Sequence, residues 1–286
     1  MLITVVLISI LLFLIYVLWA NHHVQLTTYE YRNTKLPEAF DGYRIVQLSD
    51  IHGDLPGDKA ARIIQAVRQA KPHIVVITGD VVDHVHNHEE QFGRAKELVK
   101  SLGEEFQCYY VTGNHEYMHP ECETIISYIE QHTKICVLHD TSILLEREGQ
   151  HVRLWGLDDP YALYKGKVPP KYITPKQEFK EYLKGFVLEQ SEFHILLSHR
   201  PEFFEEYVEC GFQLVFTGHA HGGQFRGPFG LCAIAPDQGL FPRLTQKKHS
   251  QKDTTMFISR GLGNSVVPVR LFNDPEIIVV ELCLSK

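Results

Sequence analysis

The chain has 286 residues and a formal net charge of −7, with its Lys and Arg scattered rather than clustered. No basic face is evident, which excludes a general nucleic-acid binder. A content of 44% hydrophobic and 22% charged residues is that of a globular protein with a sizeable core, enough for one large α/β domain or two small ones.

Residues 2–20, "LITVVLISILLFLIYVLWA", carry no charge and are long enough to cross a bilayer as a helix. No Lys or Arg precedes the run, and bulky Leu18 stands where a cleavage site needs a small residue. An uncleaved anchor is therefore favoured over a cleaved signal peptide, with Tyr16 and Trp19 near one interface. Arg32 and Lys35 follow the anchor, which by the positive-inside rule leans towards a cytoplasmic domain. Residues 21–41 read as a polar connector without strong periodicity, and residues 42–286 as the main domain.

That domain alternates. "YRIVQLS" (43–49) predicts a buried strand, and 58–71 a helix with Ala61, Ile64, Ala66, Val67 and Ala70 on or near one face. "HIVVIT" (73–78), a helix over 88–102, "QCYYVT" (107–112) and a helix over 121–132 continue the pattern. The second half is richer in strands. "SILLERE" and "VRLWGLD" flank a Gly149-Gln150 turn, followed by "FHILLSH", "FQLVFTG", "TTMFISRG" and "EIIVVELCL". Apolar strands alternating with amphipathic helices imply parallel pairing covered on both faces. The fold class expected is α/β, a four-layer αββα sandwich of two mixed sheets with outer helices, preceded by one transmembrane helix. Residues 159–192 interrupt the scheme. They read either as a surface excursion packing on itself or as a cap beside the site, whose Phe179, Tyr182, Leu183 and Phe186 could touch lipid. The six cysteines show no CxxC spacing; buried free thiols are the simple explanation, while their even number also permits disulfides.

The polar residues fall in a regular place. One strand ends in "SDIHG" with Asp50 and His52, the next in "TGDVVD" with Asp80 and Asp83, and a third in "TGNHE" with Asn114 and His115. "SHRP" brings His199, and "TGHAHGG" brings His219 and His221. In open α/β sheets, ligands bind beyond the carboxyl ends of the strands. Any one of these motifs alone reads as a turn or a cap; five at five strand ends form one rim. Two carboxylates, an Asn carbonyl and four imidazoles suit Mn²⁺, Fe or Zn²⁺ rather than a thiolate site. They are too many for one ion and suit two ions about 4 Å apart, bridged by a carboxylate, which can clamp a phosphoryl group and generate a bridging hydroxide. The adjoining Gly79, Gly113, Gly218, Gly222 and Gly223 allow tight turns and close backbone approach. His84, His86 and His88, just past Asp83, read as pocket edge or solvent rather than ligands.

In that order, "DIH", "GDVVD", "GNHE", "SH" and "GHAH" resemble the calcineurin-like metallophosphoesterase superfamily over about residues 43–283. The resemblance implies a first metal held by Asp50, His52 and His221, a bridging Asp80, and a second metal held by Asn114, His199 and His219. It also implies that His115 contacts the phosphate and protonates the leaving group, oriented by Asp83, a role that an imidazolium beside a carboxylate can fill. "GHAHGGQ" and "SRGLGNSVVPVRLFNDPEI" are similar to a membrane-anchored bacterial branch containing phosphodiesterases and some UDP-diacylglucosamine pyrophosphohydrolases. The family commonly has Thr where this chain has Ala220, a position that is not a ligand. Arg200, Arg260 and Asn264 read either as substrate-binding residues framing the phosphate pocket or, equally, as structural ones. The implied activity is two-metal hydrolysis of a phosphodiester or pyrophosphate bond, with Mn²⁺ the first choice of metal and a lipid-linked substrate at the membrane. Rivals are a phosphomonoesterase, a phosphoprotein phosphatase and a silent scaffold. Against the second, "GNHEY" lacks a phosphate-binding arginine and His84 replaces the Arg of "GDxxDRG"; against the third, no ligand is missing.

Overall fold

The computed structural model describes residues 2–84, 89–164, 175–186, 188–223, 226, 232, 234–264 and 270–285. Helix α1 (Leu2–His22) is long and apolar enough to span a bilayer, and its side chains from Leu2 to Ile15 are exposed.

Two six-stranded mixed sheets follow. The first runs in the order β1-β14-β2-β3-β4-β5, where β1 is Gln25–Asn33, β2 Arg44–Leu48, β3 Ile74–Thr78, β4 Cys108–Val111, β5 Cys136–Val137 and β14 Glu276–Leu284. From β2 to β5 the pairing is parallel, while β14 is antiparallel to β2. Helices α2 (Lys59–Ala70), α3 (Glu89–Glu105) and α5 (Cys122–His132) cover its outer face. The buried face of α2 centres on Ile63, Val67 and Ala70, a 3.6-period stripe that ends where Lys71 turns left-handed.

The second sheet runs β12-β13-β9-β8-β7-β6, with β6 Thr141–Arg147, β7 Gln150–Gly156, β8 His194–Leu197, β9 Leu214–Thr217, β12 Lys247–Gln251 and β13 Thr254–Ile258. β6 and β7 form a hairpin over Glu148 and Gly149, both with positive φ, as its tight turn requires. Between the sheets lies a core including Ile45, Val76, Val111, Leu197, Phe216 and Phe257. Every residue of β3 is buried, because one face meets helices and the other meets the second sheet. The αββα arrangement and its two mixed sheets are as the sequence implied.

Two expectations need correction. Residues 21–41 are more than a connector: β1 pairs in parallel with β14 along Gln25–Asn33. Its inward residues Thr27, Tyr29, Tyr31 and Asn33 alternate with exposed ones, a period of two carried by polar and aromatic residues rather than aliphatics. The described part of 159–192 is no lipid-facing cap. In α6 (Lys176–Lys184), Phe179 and Leu183 are buried, and they join α7 (Phe204–Cys210) in covering the second sheet. Tyr182 and Phe186 pack against the same cluster. All six cysteines are free. His86 and His88 lie outside the described residues.

Candidate metal centre

The carboxyl ends of β2, β3, β4, β8 and β9 meet at one rim. There the backbone is unusual: Asp50, His52, Asp80, His219 and His221 all have φ between 48° and 63°. Non-glycine residues seldom adopt this left-handed region, and such strain concentrates at functional sites. Cross-loop hydrogen bonds hold it. The amide of Asp50 donates to Gly79 O at 3.0 Å, that of His52 to Asp80 O at 3.0 Å, and that of Gly53 to Val81 O at 2.9 Å. Gly79, at φ 87°, is packed so that a Cβ would lie 2.7 Å from both Gly113 Cα and His199 Nδ1. Only glycine fits there.

Two buried trios result. Potential ligand atoms of Asp50, His52 and His221 lie within 4.8 Å of one another, as do those of Asp80, His199 and His219. In the first, His52 Nε2 is 3.0 Å from His221 Nε2, and His221 Nε2 is 3.3 Å from Asp50 Oδ1. Burial drives His52 down to about 3, moves His221 well below its usual range and lifts Asp50 to about 6. Two neutral imidazoles thus present facing nitrogens, at most one of which can carry a proton, an arrangement suited to a shared cation. Asn114, next to the His115 whose amide Asp80 accepts, has its Oδ1 buried without a hydrogen-bond partner among the described residues. An oxygen left so is costly unless a cation takes it. The donor set therefore fits divalent metals.

Asp80 is the junction. Its Oδ2 is 3.0 Å from His199 Nε2 and 4.0 Å from both His52 Nε2 and His115 Nε2. Its Oδ1 accepts the His115 amide at 2.8 Å. Burial opposes charge on His199, but Asp80 outweighs it and holds the imidazole up at about 10. His199 Nδ1–H donates to Thr78 O at 2.7 Å, which aims Nε2 at Asp80 as outer contacts of metal-binding histidines do.

His115 stands between this centre and Asp83. Its Nδ1 lies 3.0 Å from Asp83 Oδ1, so Nε2 faces the rim. Burial disfavours its cation, yet Asp80 and Asp83 together raise its pKa. His84 is half-buried, with Nδ1 3.0 Å from His115 Nδ1, and potential ligand atoms of Asp83, His84 and His115 also lie within 4.8 Å of one another.

The three expected substrate-binding residues spend their donors elsewhere. Arg200 is fully buried: Nε donates to Asp159 Oδ2 at 2.5 Å, Nη2 to Asp159 Oδ1 at 3.2 Å and Nη1 to Asp237 Oδ2 at 2.5 Å. Arg260 reaches Glu276 and Gln25, tying β14 to the start of β1. Asn264 gives both its amide and its side-chain N–H to Asp54. Asp159 and Asp237 thus engage Arg200, Glu276 and Gln25 engage Arg260, and Asp54 engages Asn264.

Other residues took up roles that the motifs did not announce. Glu116 is buried, and its carboxylate accepts the amides of Gly113 (2.7 Å), Asp80 (2.9 Å) and Val81 (2.7 Å). The G-x-x-E spacing of a helix N-terminus, at α4 (Asn114–Met118), was its available signal. Asp237 Oδ2 sits 3.1 Å from His219 Nε2 while also binding Arg200. Arg200 Nη1 lies 2.9 Å from the same Nε2, so Asp237 and Arg200 together orient His219. Arg270 is buried among the carbonyls of Arg260, Asn273 and Gly263, and burial lowers it to about 10.

With this geometry in place, a family model described as calcineurin-like phosphoesterase matches residues 43–223, more than half of the chain. The chain belongs to that family. It is a metal-dependent phosphohydrolase by family. Among relatives, the uncharacterized metallophosphoesterase YkuE of Bacillus subtilis is 26% identical over 91% of this chain and 86% of its own length. The UDP-2,3-diacylglucosamine pyrophosphatase LpxG of Chlamydia muridarum is 26% identical over 94% of this chain and 93% of its own. A transmembrane protein with metallophosphoesterase domain from Danio rerio is 28% identical over 85% of this chain, which spans about half (54%) of that protein.

Proposed function

We propose that this calcineurin-like phosphoesterase hydrolyses a phosphodiester or pyrophosphate bond in a lipid-linked substrate, using two divalent metals, Mn²⁺ first among them. The observation that carries it is the continuity of the two ligand trios through Asp80, with His115 backed by Asp83 at 3.0 Å on the same rim. Asp50, His52 and His221 would hold one metal, Asn114, His199 and His219 the other, and Asp80 would bridge. Metals bound there supply Lewis-acid polarisation of the phosphoryl group and a hydroxide at neutral pH. The chain's own part is positioning and proton transfer. Asp83 accepts the Nδ1–H of His115 and favours its protonated form, so that Nε2–H can be delivered to the leaving-group oxygen.

The anchor helix and the likeness to a pyrophosphatase of UDP-2,3-diacylglucosamine support a lipid-linked substrate. Arg32 and Lys35 beyond the anchor support a cytoplasmic-facing domain.

Full-length protein in detergent, stripped of metal and re-supplied with Mn²⁺, is to be assayed on an aryl phosphodiester, the matching monoester and a lipid pyrophosphate. His115→Ala should slow a diester with a poor leaving group by on the order of 10²–10⁴ and one with a good leaving group far less. Equal losses on both would remove the general-acid role. Monoester turnover exceeding diester turnover would overturn the substrate class.

A further inference from the structure

Outside α1, four described large apolar side chains are more than 60% exposed: Ile234, Leu240, Phe241 and Phe272. They are not scattered. β10 (Ile234–Ala235) and β11 (Gly239–Leu240) form a small antiparallel hairpin in which Ile234 is paired with Leu240, so both face the same way. The hairpin lies against the turn carrying His221, since a Cβ on Gly223 would be 3.4 Å from Ile234 O. The amide of Arg226 donates to Leu271 O at 3.1 Å, next to Phe272.

Phe272 fixes the depth. Its ring lies 5.4 Å from that of Tyr16, and its amide donates to Tyr16 Oη at 2.9 Å. His23 stacks on Trp19 and reaches Asp274 at 3.2 Å. Tyr16 and Trp19 end an apolar span, where interfacial aromatic residues settle at headgroup level. A loop clasped to them stands at the same level.

Beside the hairpin is a groove of about 280 Å³ lined by Arg226, Phe241, Arg243, Lys247 and Lys248, with no Asp or Glu among the described lining residues. Lys247 pairs with Ile258, which places the basic end of β12 at the strand end leading to Ser259 and Arg260. Arg226 ties this groove to the turn carrying His221, donating from Nη1 to Gly222 O at 2.6 Å. A concentration of cations on a chain of net charge −7, next to an exposed apolar tip, matches the surface of an anionic bilayer.

We propose that this hairpin and groove form a second membrane contact: Ile234, Leu240 and Phe241 enter the headgroup boundary while Arg243, Lys247 and Lys248 meet the phosphates of anionic phospholipids. The anchor fixes one edge of the rim, and this contact fixes another, so the metal centre is held facing the lipid surface. Exposed apolar side chains then have a partner that water does not provide.

The test uses the full chain with benzoylphenylalanine in place of Phe241, reconstituted in nanodiscs of phosphatidylcholine alone or of equal parts phosphatidylcholine and phosphatidylglycerol. After irradiation, lipid adducts on the 234–249 peptide are measured by mass spectrometry. Adducts are expected in the anionic discs and strongly reduced in the neutral ones. Arg243→Gln/Lys247→Gln/Lys248→Gln should lower the docked-to-undocked ratio on the order of a hundredfold, and high salt should act the same way. Turnover of a soluble aryl phosphodiester by this variant should be unchanged, which shows that it folds. No lipid adducts in either disc, or equal yields in both discs and in the triple variant, would overturn the proposal.

Discussion

Glu116 Oε2 accepts the backbone N–H of Asp80 at 2.9 Å, across 36 residues of sequence. The same carboxylate takes Gly113 and Val81. One acid thus sets the backbone angle of Asp80 and locks the loop after β3 to the start of α4. Glu116→Ala would leave several buried amides unsatisfied, at about 1–3 kcal/mol each. A lowered melting temperature and weaker metal binding by calorimetry are expected together. If the variant melts normally and binds metal normally, the clamp is not needed.

Asp237→Asn should weaken metal binding about 10–100-fold, because His219 Nε2 loses its carboxylate while its position in the fold is kept. Stability should change little, since Arg200 retains its two bonds to Asp159. A metal titration that leaves the affinity at the wild-type value would show that His219 is oriented by packing alone.

Gly79→Ala and Gly149→Ala separate crowding from backbone strain. Both positions have positive φ, but a Cβ at Gly149 meets nothing within 4 Å, whereas one at Gly79 meets Gly113 and His199. Gly149→Ala should cost about 1–2 kcal/mol with activity intact. Gly79→Ala should cost more and abolish turnover. Equal melting shifts in the two variants would contradict the packing seen here.

Metal removal should destabilise the protein. A chelated sample re-supplied with Mn²⁺ at about 100 times its dissociation constant should recover about 2.7 kcal/mol, read as a rise in melting temperature. His52→Ala, which removes one of the facing nitrogens at 3.0 Å, should blunt that rise. A melting curve indifferent to metal would speak against both trios as metal sites.

Much of this was legible in the chain before folding. Apolar runs such as "HIVVIT" announced parallel strands buried on both faces, and Asp, Asn or His at their ends announced a rim, because burial sets the residue pattern locally and strand ends converge in such sheets. β1 was missed because its inward face uses Thr, Tyr and Asn rather than aliphatics. β12, "KKHSQ", shows no apolar alternation because it is an edge strand facing solvent.

The sequence by itself determined which side chains assemble at the rim and which elements carry them. Only the tertiary structure decided how each donor is spent. Arg200, beside His199 in sequence, is taken by Asp159 and by Asp237, which is 37 residues away. The aromatic residues of α6 turned inward onto the second sheet, while Phe272 and the 234–241 hairpin turned outward. The reason is physical. Hydrophobic period reports a residue's local exposure, but the partner of a buried charge is chosen by whatever carboxylate or carbonyl the distant chain brings within reach.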